Sequence, residues 1–167
     1  KKKSYEEYLQ KENTVDIFIE SQDILDQCMP KLALQIRKFV KEMLYTWSDN
    51  IDEQYPSAVL LETKRDLVKL LYKLRSGKLD PDVVVSLATI VHYIQTEQLT
   101  MANEAYLKLS IGNVAWPIGV RDVGIHARAA DAKIAGDDKL KLANIMKSES
   151  TRRWLVAVKR LINYSEK

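Results

Sequence analysis

The apolar residues of this chain recur mostly at intervals of three and four positions, which is the spacing of an amphipathic α-helix. A first helix is predicted to begin at Pro30, because proline suits the first turn. A second is predicted between residues 57 and 75, before Gly77, a residue type that commonly ends helices. The first helix should bury Leu32, Ile36, Phe39, Val40, Met43 and Trp47. The second should bury Leu60, Leu61, Leu67, Val68, Leu71 and Leu74.

The segment after Asp80 and Pro81 is apolar on nearly every side. Asp80 suits the N-cap of a helix and Pro81 its first turn. A helix without a polar face packs against several others, so we predict that this one is the most buried, with Val84, Leu87 and Val91 at the centre of the bundle. His92 has no second ligand at helical spacing, and we expect it to be a hydrogen-bonded or surface histidine.

Shorter segments complete an all-α prediction. Residues 100–109 and the residues after Gly136 show helical spacing, and a final helix should follow Ser148 or Ser150. Residues 14–29 first alternate like a strand and then follow helical spacing, and we favour a helix from about Asp16. The chain is therefore predicted to form a single compact bundle of five or more helices, in one domain that spans residues 1–167.

One long irregular loop, near residues 110–136, interrupts the helical periodicity. Three of the five glycines, Gly112, Gly119 and Gly124, fall within residues 110–134, together with Pro117. Loops of about twenty residues inside a compact domain tend to be functional or disordered, and a disordered linker should be polar. This loop has many apolar residues, which the domain itself or a partner must cover. The helical stripes lie outside it, so we expect a chain without residues 114–130 to keep a folded helical body.

Composition narrows the classes of function. The single Cys28 excludes an internal disulfide framework, and one cysteine with two histidines cannot build the usual structural zinc site. We therefore predict no metal ion and no cofactor. The chain has no apolar run of about eighteen residues, which predicts no membrane span. It opens on lysines rather than Met, so we expect a natural N-terminal part to precede it.

The net charge of +3 is unevenly distributed. Residues 1–30 carry seven acids and four lysines, whereas residues 62–78 and residues 147–167 each carry six bases and two acids. Basic helical faces can meet phosphate backbones or acidic partners, although a solvated face is the commoner explanation. On the final helix we assign a partner-binding basic face to Arg152, Arg153, Lys159 and Arg160.

No catalytic pattern accompanies the loop. The spacing of its glycines matches neither a dinucleotide fingerprint nor a phosphate-binding P-loop. Asp122 and His126 would suit a catalytic triad, but no nucleophile lies in an elbow motif, and Cys28 belongs to the acidic N-terminal region. We predict that the protein is not an enzyme and has no catalytic residues.

The loop resembles a known family. Its segments Trp-Pro-Ile-Gly-Val at 116–120 and Gly-Ile-His-Ala-Arg at 124–128, preceded by Ile-Gly-Asn at 111–113, are similar to the signature loop of the pre-mRNA-splicing factor 18 family. Weaker similarity extends from about Pro30 to Lys167. The residues Arg121 and Asp122 depart from the usual family pattern, as do residues 129–132.

The resemblance implies a non-enzymatic splicing factor of the nucleus that promotes the second catalytic step, exon ligation. It also implies association with the U5 small nuclear ribonucleoprotein and the spliceosome, and partnership with a zinc-knuckle second-step factor. The loop is expected to lie near pre-mRNA at the 3′ splice site. The expected RNA-proximal or otherwise functional residues are Gly112, Asn113, Trp116, Pro117, Ile118, Gly119, Val120, Arg121, Gly124, Ile125, His126, Arg128 and Lys133.

Within this set, Arg121, Arg128 and Lys133 are candidates for phosphate contacts. Trp116 is a candidate for stacking on a base, for anchoring in a partner's pocket, or for packing on its own domain. The alternative function is a helical protein–protein interaction module whose loop folds back and contacts no RNA.

Overall fold

The structure is a computed structural model that describes residues 2–118 and 136–167, with the backbone alone for residues 136–139. These ranges contain no β-strand, which confirms the all-α prediction. Residues 119–135, most of the loop, lie outside the described residues. The helices are α1 (Lys2–Thr14), α2 (Ser21–Leu25), α3 (Met29–Asp49), α4 (Ser57–Ser76), α5 (Pro81–Gln95), α6 (Leu99–Ser110), α7 (Gly136–Lys147) and α8 (Glu149–Ser165).

Local capping chemistry sets several helix ends as predicted. The side chain of Asp80 accepts a hydrogen bond of 2.9 Å from the N–H of Asp82 and so caps α5. The hydroxyl of Ser148 accepts one of 3.1 Å from the N–H of Thr151 and caps α8. Gly77 ends α4 with a φ of +72°, the left-handed region that glycine adopts without strain.

Helix α5 lies at the centre of the core. All its residues from 83 to 91 are buried, and it packs against α2, α3 and α6. Helix α8 packs against α3, α4, α6 and α7, and it buries the apolar stripe formed by Trp154, Leu155, Val158, Leu161 and Ile162. Trp47, predicted to be a core residue, is fully buried and stacks on Tyr164 of α8 with ring centroids 5.2 Å apart.

Two positions of the predicted α4 stripe are wrong. Leu61 is 58% exposed and Val68 is 61% exposed, whereas Leu70 is fully buried. Helix α4 lies between α3 and α8, and its buried positions recur every three or four residues on the side that faces them. The leucines of α4 are spread around the helix, so its sequence alone does not show which side is buried. The contacts with α3 and α8 decide which side faces the core.

Replacement of Leu87 by alanine should lower the free energy of unfolding by about 2–5 kcal/mol, because the side chain is only 3% exposed and its loss leaves a cavity. Urea denaturation measures this change. Leu61→Ala is the matched control, and we expect it to change stability by less than about 0.5 kcal/mol. Equal effects at the two positions would contradict a central place for α5.

Residues 15–20 are not helical, so the predicted helix from Asp16 is wrong, and α2 covers only Ser21–Leu25. The buried Gln35 of α3 explains the difference. Its side-chain amide donates hydrogen bonds to the carbonyls of Asp16 (3.0 Å) and Phe18 (2.9 Å). A side chain from another helix thus replaces the backbone partners that a helix would have supplied.

Helix α5 binds the same segment from the other side. Gln95 donates to the carbonyl of Ile17 (2.8 Å) and accepts from the N–H of Ile19 (3.0 Å). The Nδ1–H of His92 donates to the carbonyl of Ile19 (2.7 Å), and its Nε2 accepts from the hydroxyl of Ser21 (3.2 Å). His92 is therefore a hydrogen-bonded structural histidine, as predicted.

Helix α1 is attached to α3 by a buried ion pair rather than by an apolar stripe. Glu12 is the one buried residue of α1 and is 2% exposed. Its carboxylate accepts hydrogen bonds from Arg37 Nε and from Lys41 Nζ, the latter at 2.7 Å. Arg37, which is 4% exposed, also donates to the carbonyl of Leu71 on α4 (2.7 Å). The ion pair therefore joins three helices.

Candidate functional site

The first residues of the signature loop are bound along α5 by hydroxyl groups. The hydroxyl of Ser86 accepts from the N–H of Ala115 (3.1 Å), and that of Thr89 donates to the carbonyl of Ala115 (2.9 Å). The hydroxyl of Tyr93 accepts from the N–H of Ile118 (2.7 Å). The positions 86, 89 and 93 share one face of α5, and we call these three residues the hydroxyl row.

The hydroxyls of Ser86 and Thr89 bind the backbone of α5 itself as well as the loop. Ser86 donates to the carbonyl of Asp82 (2.8 Å) while it accepts from the loop. Thr89 shares its proton between the carbonyls of Val85 (2.9 Å) and Ala115. Both side chains are fully buried, so a hydroxyl removed here leaves loop backbone groups unpaired in the interior, which costs about 1–3 kcal/mol.

The hydroxyl row was not predicted from the sequence, although a signal was present. Ser86 and Thr89 are polar residues within the most apolar helix of the chain, and they lie three positions apart. A polar residue buried in a helix needs a partner. The pattern therefore indicates a bound backbone segment, but it does not say which one.

The domain itself covers part of the loop. Ala115 is 1% exposed and belongs to the core, Pro117 is buried, and Trp116 is half-buried beside a 260 Å³ cavity between α5 and α6. Ile118 remains 60% exposed. The expectation that the core lies wholly outside residues 114–130 is therefore wrong.

Of the predicted loop residues, the structure describes Gly112, Asn113, Trp116, Pro117 and Ile118. Asn113 is exposed. The other predicted positions lie outside the described residues, namely Gly119, Val120, Arg121, Gly124, Ile125, His126, Arg128 and Lys133.

Gly112 lies at a close approach between the loop and α7. Its φ is +85°, and a Cβ added there would lie 3.0 Å from the Cα of Ala143 and 3.2 Å from its backbone nitrogen. Both the backbone angle and the neighbouring helix therefore require glycine. The contact places the start of the loop against α7 as well as α5.

Gly112→Ala should destabilise the protein more than Gly77→Ala. The φ of Gly77 is similar, +72°, but nothing lies within 4 Å of its added Cβ, so that variant carries only the backbone cost of roughly 1–2 kcal/mol. At Gly112 the clash with α7 should add at least about 1 kcal/mol. Thermal or urea unfolding of the two variants measures the difference. Identical losses of stability would show that α7 shifts to accommodate the added Cβ without measurable cost.

The four residues of the predicted basic face of α8 have different surroundings: two are exposed, and two contact neighbouring helices. Arg152 and Arg153 are exposed, and Arg153 pairs with Glu149 one turn earlier (2.8 Å). Arg152 lines a groove of 430 Å³ formed by α6, α7 and α8, where Ile111 and Val156 are 72% and 47% exposed. Exposed apolar side chains next to an exposed guanidinium are typical of a protein-binding surface.

The other two basic residues contact neighbouring helices. Lys159 donates to the side-chain oxygen of Asn103, and its Nζ lies 5.8 Å from the ring centroid of Tyr106 on α6. Burial raises the pKa of the Tyr106 hydroxyl. Arg160 lies 3.6 Å from a carboxylate oxygen of Glu62 on α4. These two cations attach α8 to the bundle.

Within residues 2–118 and 136–167, no group of three or more His, Cys, Asp and Glu side chains is arranged to hold a metal ion. No helix in those ranges is long and apolar enough to cross a bilayer.

The fold and site define an all-α domain in which residues 115–118, in the first part of the signature loop, are bound to the central helix. The Prp18 domain matches residues 27–167. The chain therefore belongs to the Prp18 domain family. Helices α1 and α2 precede the matched residues.

Similar curated proteins carry one name. The pre-mRNA-splicing factor 18 of Saccharomyces cerevisiae is 39% identical over 96% of this chain. The proteins of that name from Schizosaccharomyces pombe and Xenopus laevis are 31% identical over 83% of the chain and 32% identical over 93%. The chain spans 64%, 43% and 48% of the lengths of these three relatives.

Proposed function

We propose that residues 1–167 form one helical domain of a nuclear pre-mRNA splicing factor, which promotes exon ligation and has no catalytic activity of its own. The observation that carries this proposal is the match of the Prp18 domain to residues 27–167, together with 39% identity to a protein named as a pre-mRNA-splicing factor. The domain would act within the spliceosome, in association with the U5 small nuclear ribonucleoprotein and near the 3′ splice site.

The hydroxyl row supports a positional role for the loop. It holds Ala115 and Ile118 on a buried helix, so the rest of the loop starts from a fixed place. A segment ordered in advance loses less conformational entropy when it binds. If the loop binds only the docked arrangement of exon and 3′ splice site, it raises the population of that arrangement without taking part in the chemistry.

Each part of the loop has a proposed role. Arg121, Arg128 and Lys133 would contact phosphate groups, and Trp116 would stay with the domain as an anchor. His126 would pack or hydrogen-bond within the loop or contact RNA. The remaining predicted positions would shape the backbone or contact RNA, namely Gly112, Asn113, Pro117, Ile118, Gly119, Val120, Gly124 and Ile125.

The helical body would bind a zinc-knuckle second-step splicing factor. We assign the charged part of that interface to Arg152 and Arg153, because both are exposed. The exposed Ile111 and Val156 would supply apolar contacts beside Arg152. Lys159 and Arg160 would act indirectly, by holding α8 in place.

A specific observation favours a second candidate function. Residues 115–118 do fold back on α5, as expected for a protein–protein interaction module whose loop contacts no RNA. The first function places RNA beside the exposed Ile118, whereas the second places only protein there.

A photo-crosslinking amino acid at position 118 distinguishes them. In spliceosomes stalled before exon ligation, the proposal expects adducts with pre-mRNA at the 3′ splice site. Position 61 on α4 is the matched control, since Leu61 is 58% exposed and Ile118 is 60% exposed. Adducts with protein alone at position 118 would favour the interaction module.

A further inference from the structure

A groove of 430 Å³ lies where α1 meets α3 and the end of α4. Its floor is apolar, and its volume falls within the range of about 300–1,000 Å³ that is usual for small-molecule sites. The charged side chains that line it, among the described residues, are all basic: Lys11, Lys73 and Arg75. The apolar residues of the floor include Met29, Pro30, Leu34, Leu74 and Val84.

Exposed aromatic rings stand beside the same groove. Tyr5 of α1 is 43% exposed and Tyr72 of α4 is 47% exposed. The guanidinium carbon of Arg75 lies 4.8 Å from the ring centroid of Tyr5 and 5.3 Å from that of Tyr72. The Nζ of Lys78 lies 5.6 Å from the centroid of Tyr72. Two tyrosines and two cations thus form one surface cluster.

The cations of this region have no carboxylate partners among the described residues. The ion pairs found there involve other bases and leave out Lys11, Lys73, Arg75 and Lys78. Their positive charge is therefore available to an anionic ligand. The basic stretch 62–78, which the proposed function does not use, supplies three of the four.

We infer that this groove binds single-stranded RNA. One base would occupy the apolar floor, the adjoining phosphates would lie against Lys11, Lys73 and Arg75, and Tyr72 would stack on a second base. Aromatic faces combined with unpaired cations are the usual components of such sites. An acidic peptide would need the cations but not the exposed rings. The described residues of this surface lie outside the loop, so the inference does not depend on the role in exon ligation.

Fluorescence anisotropy with a labelled oligouridylate of about twelve nucleotides tests the inference on the 167-residue chain, between about 50 and 200 mM salt. The combined substitutions Lys73→Gln and Arg75→Gln, at two of the three proposed phosphate contacts, should weaken binding at least about tenfold at the lower salt. The slope of log affinity against log salt should fall by about 0.7 for each lost phosphate contact. Tyr72→Leu, at an exposed position, should weaken binding at least about fivefold.

The matched control carries Lys64→Gln and Arg65→Gln, which remove the same charge about three turns earlier on α4. It should change the affinity less than about twofold, and thermal unfolding should show all variants folded. Equal losses from the two charge pairs would overturn the inference, because net charge alone would explain them. An unaltered affinity in Tyr72→Leu, or displacement of the RNA by unlabelled polyglutamate as readily as by unlabelled oligouridylate, would also overturn it.

Discussion

A chain that lacks residues 119–130 but keeps residues 111–118 should complete the first step of splicing normally and ligate exons at least roughly tenfold more slowly. The shorter loop would no longer favour the docked arrangement, so the docked fraction should fall. The defect should be largest for substrates whose 3′ splice site docks weakly, because a population shift matters most where the docked state is scarce. In-vitro splicing with depleted and reconstituted extract, following both steps, measures it.

Retention of residues 111–118 makes this experiment interpretable. Removal of residues 114–130 would also take away Ala115, which is in the core, and would leave Ser86 and Thr89 without their loop partners. That longer deletion should lower the melting temperature, whereas the shorter one should melt close to the unaltered chain. A folded short deletion with full exon ligation on a weakly docking substrate would falsify the proposed role of the loop.

Glu12→Gln should lower the free energy of unfolding by about 3–5 kcal/mol, because it leaves the buried Arg37 without its counter-charge. Glu12 is 2% exposed, and its carboxylate accepts from both Arg37 and Lys41. Water cannot replace it at a buried position, so the cost includes the desolvation of an unpaired guanidinium. Urea denaturation at neutral pH measures this change directly when the unfolding free energy depends on urea concentration with the same slope in both proteins.

Glu149→Gln is the control for that substitution. It also removes one carboxylate from an ion pair, but the side chains of Glu149 and Arg153 are 80% and 65% exposed. We expect a loss below about 0.5 kcal/mol, as for exposed pairs one helical turn apart. If Glu12→Gln proves equally mild, α1 is held by contacts other than the ion pair.

The helical fold and several of its capped ends followed from local patterns. Asp80 and Pro81 begin α5, Gly77 ends α4, and Ser148 begins α8, each by hydrogen bonds or backbone angles within a few positions of itself. The central place of α5 followed from its apolar residues on all sides. Such features are predictable because the interacting groups are neighbours in the chain.

The candidate site was predicted less completely. The segments at 111–113, 116–120 and 124–128 identified the loop and its family, and the family match confirms the latter. The sequence did not reveal that Ser86, Thr89 and Tyr93 bind the loop backbone. Their hydroxyls look the same in the sequence whether they face solvent, their own helix or another segment.

By itself, then, the sequence determined most of the helices, several of their capped ends and the family of the chain. Tertiary structure alone decided which leucines of α4 face inward, that residues 15–20 are not helical, and that residues 115–118 lie on α5. The physical reason is the distance along the chain between the partners. The hydrogen bonds that hold these segments join residues 17 to 78 positions apart, and such contacts form only when the packing of whole helices brings their groups together.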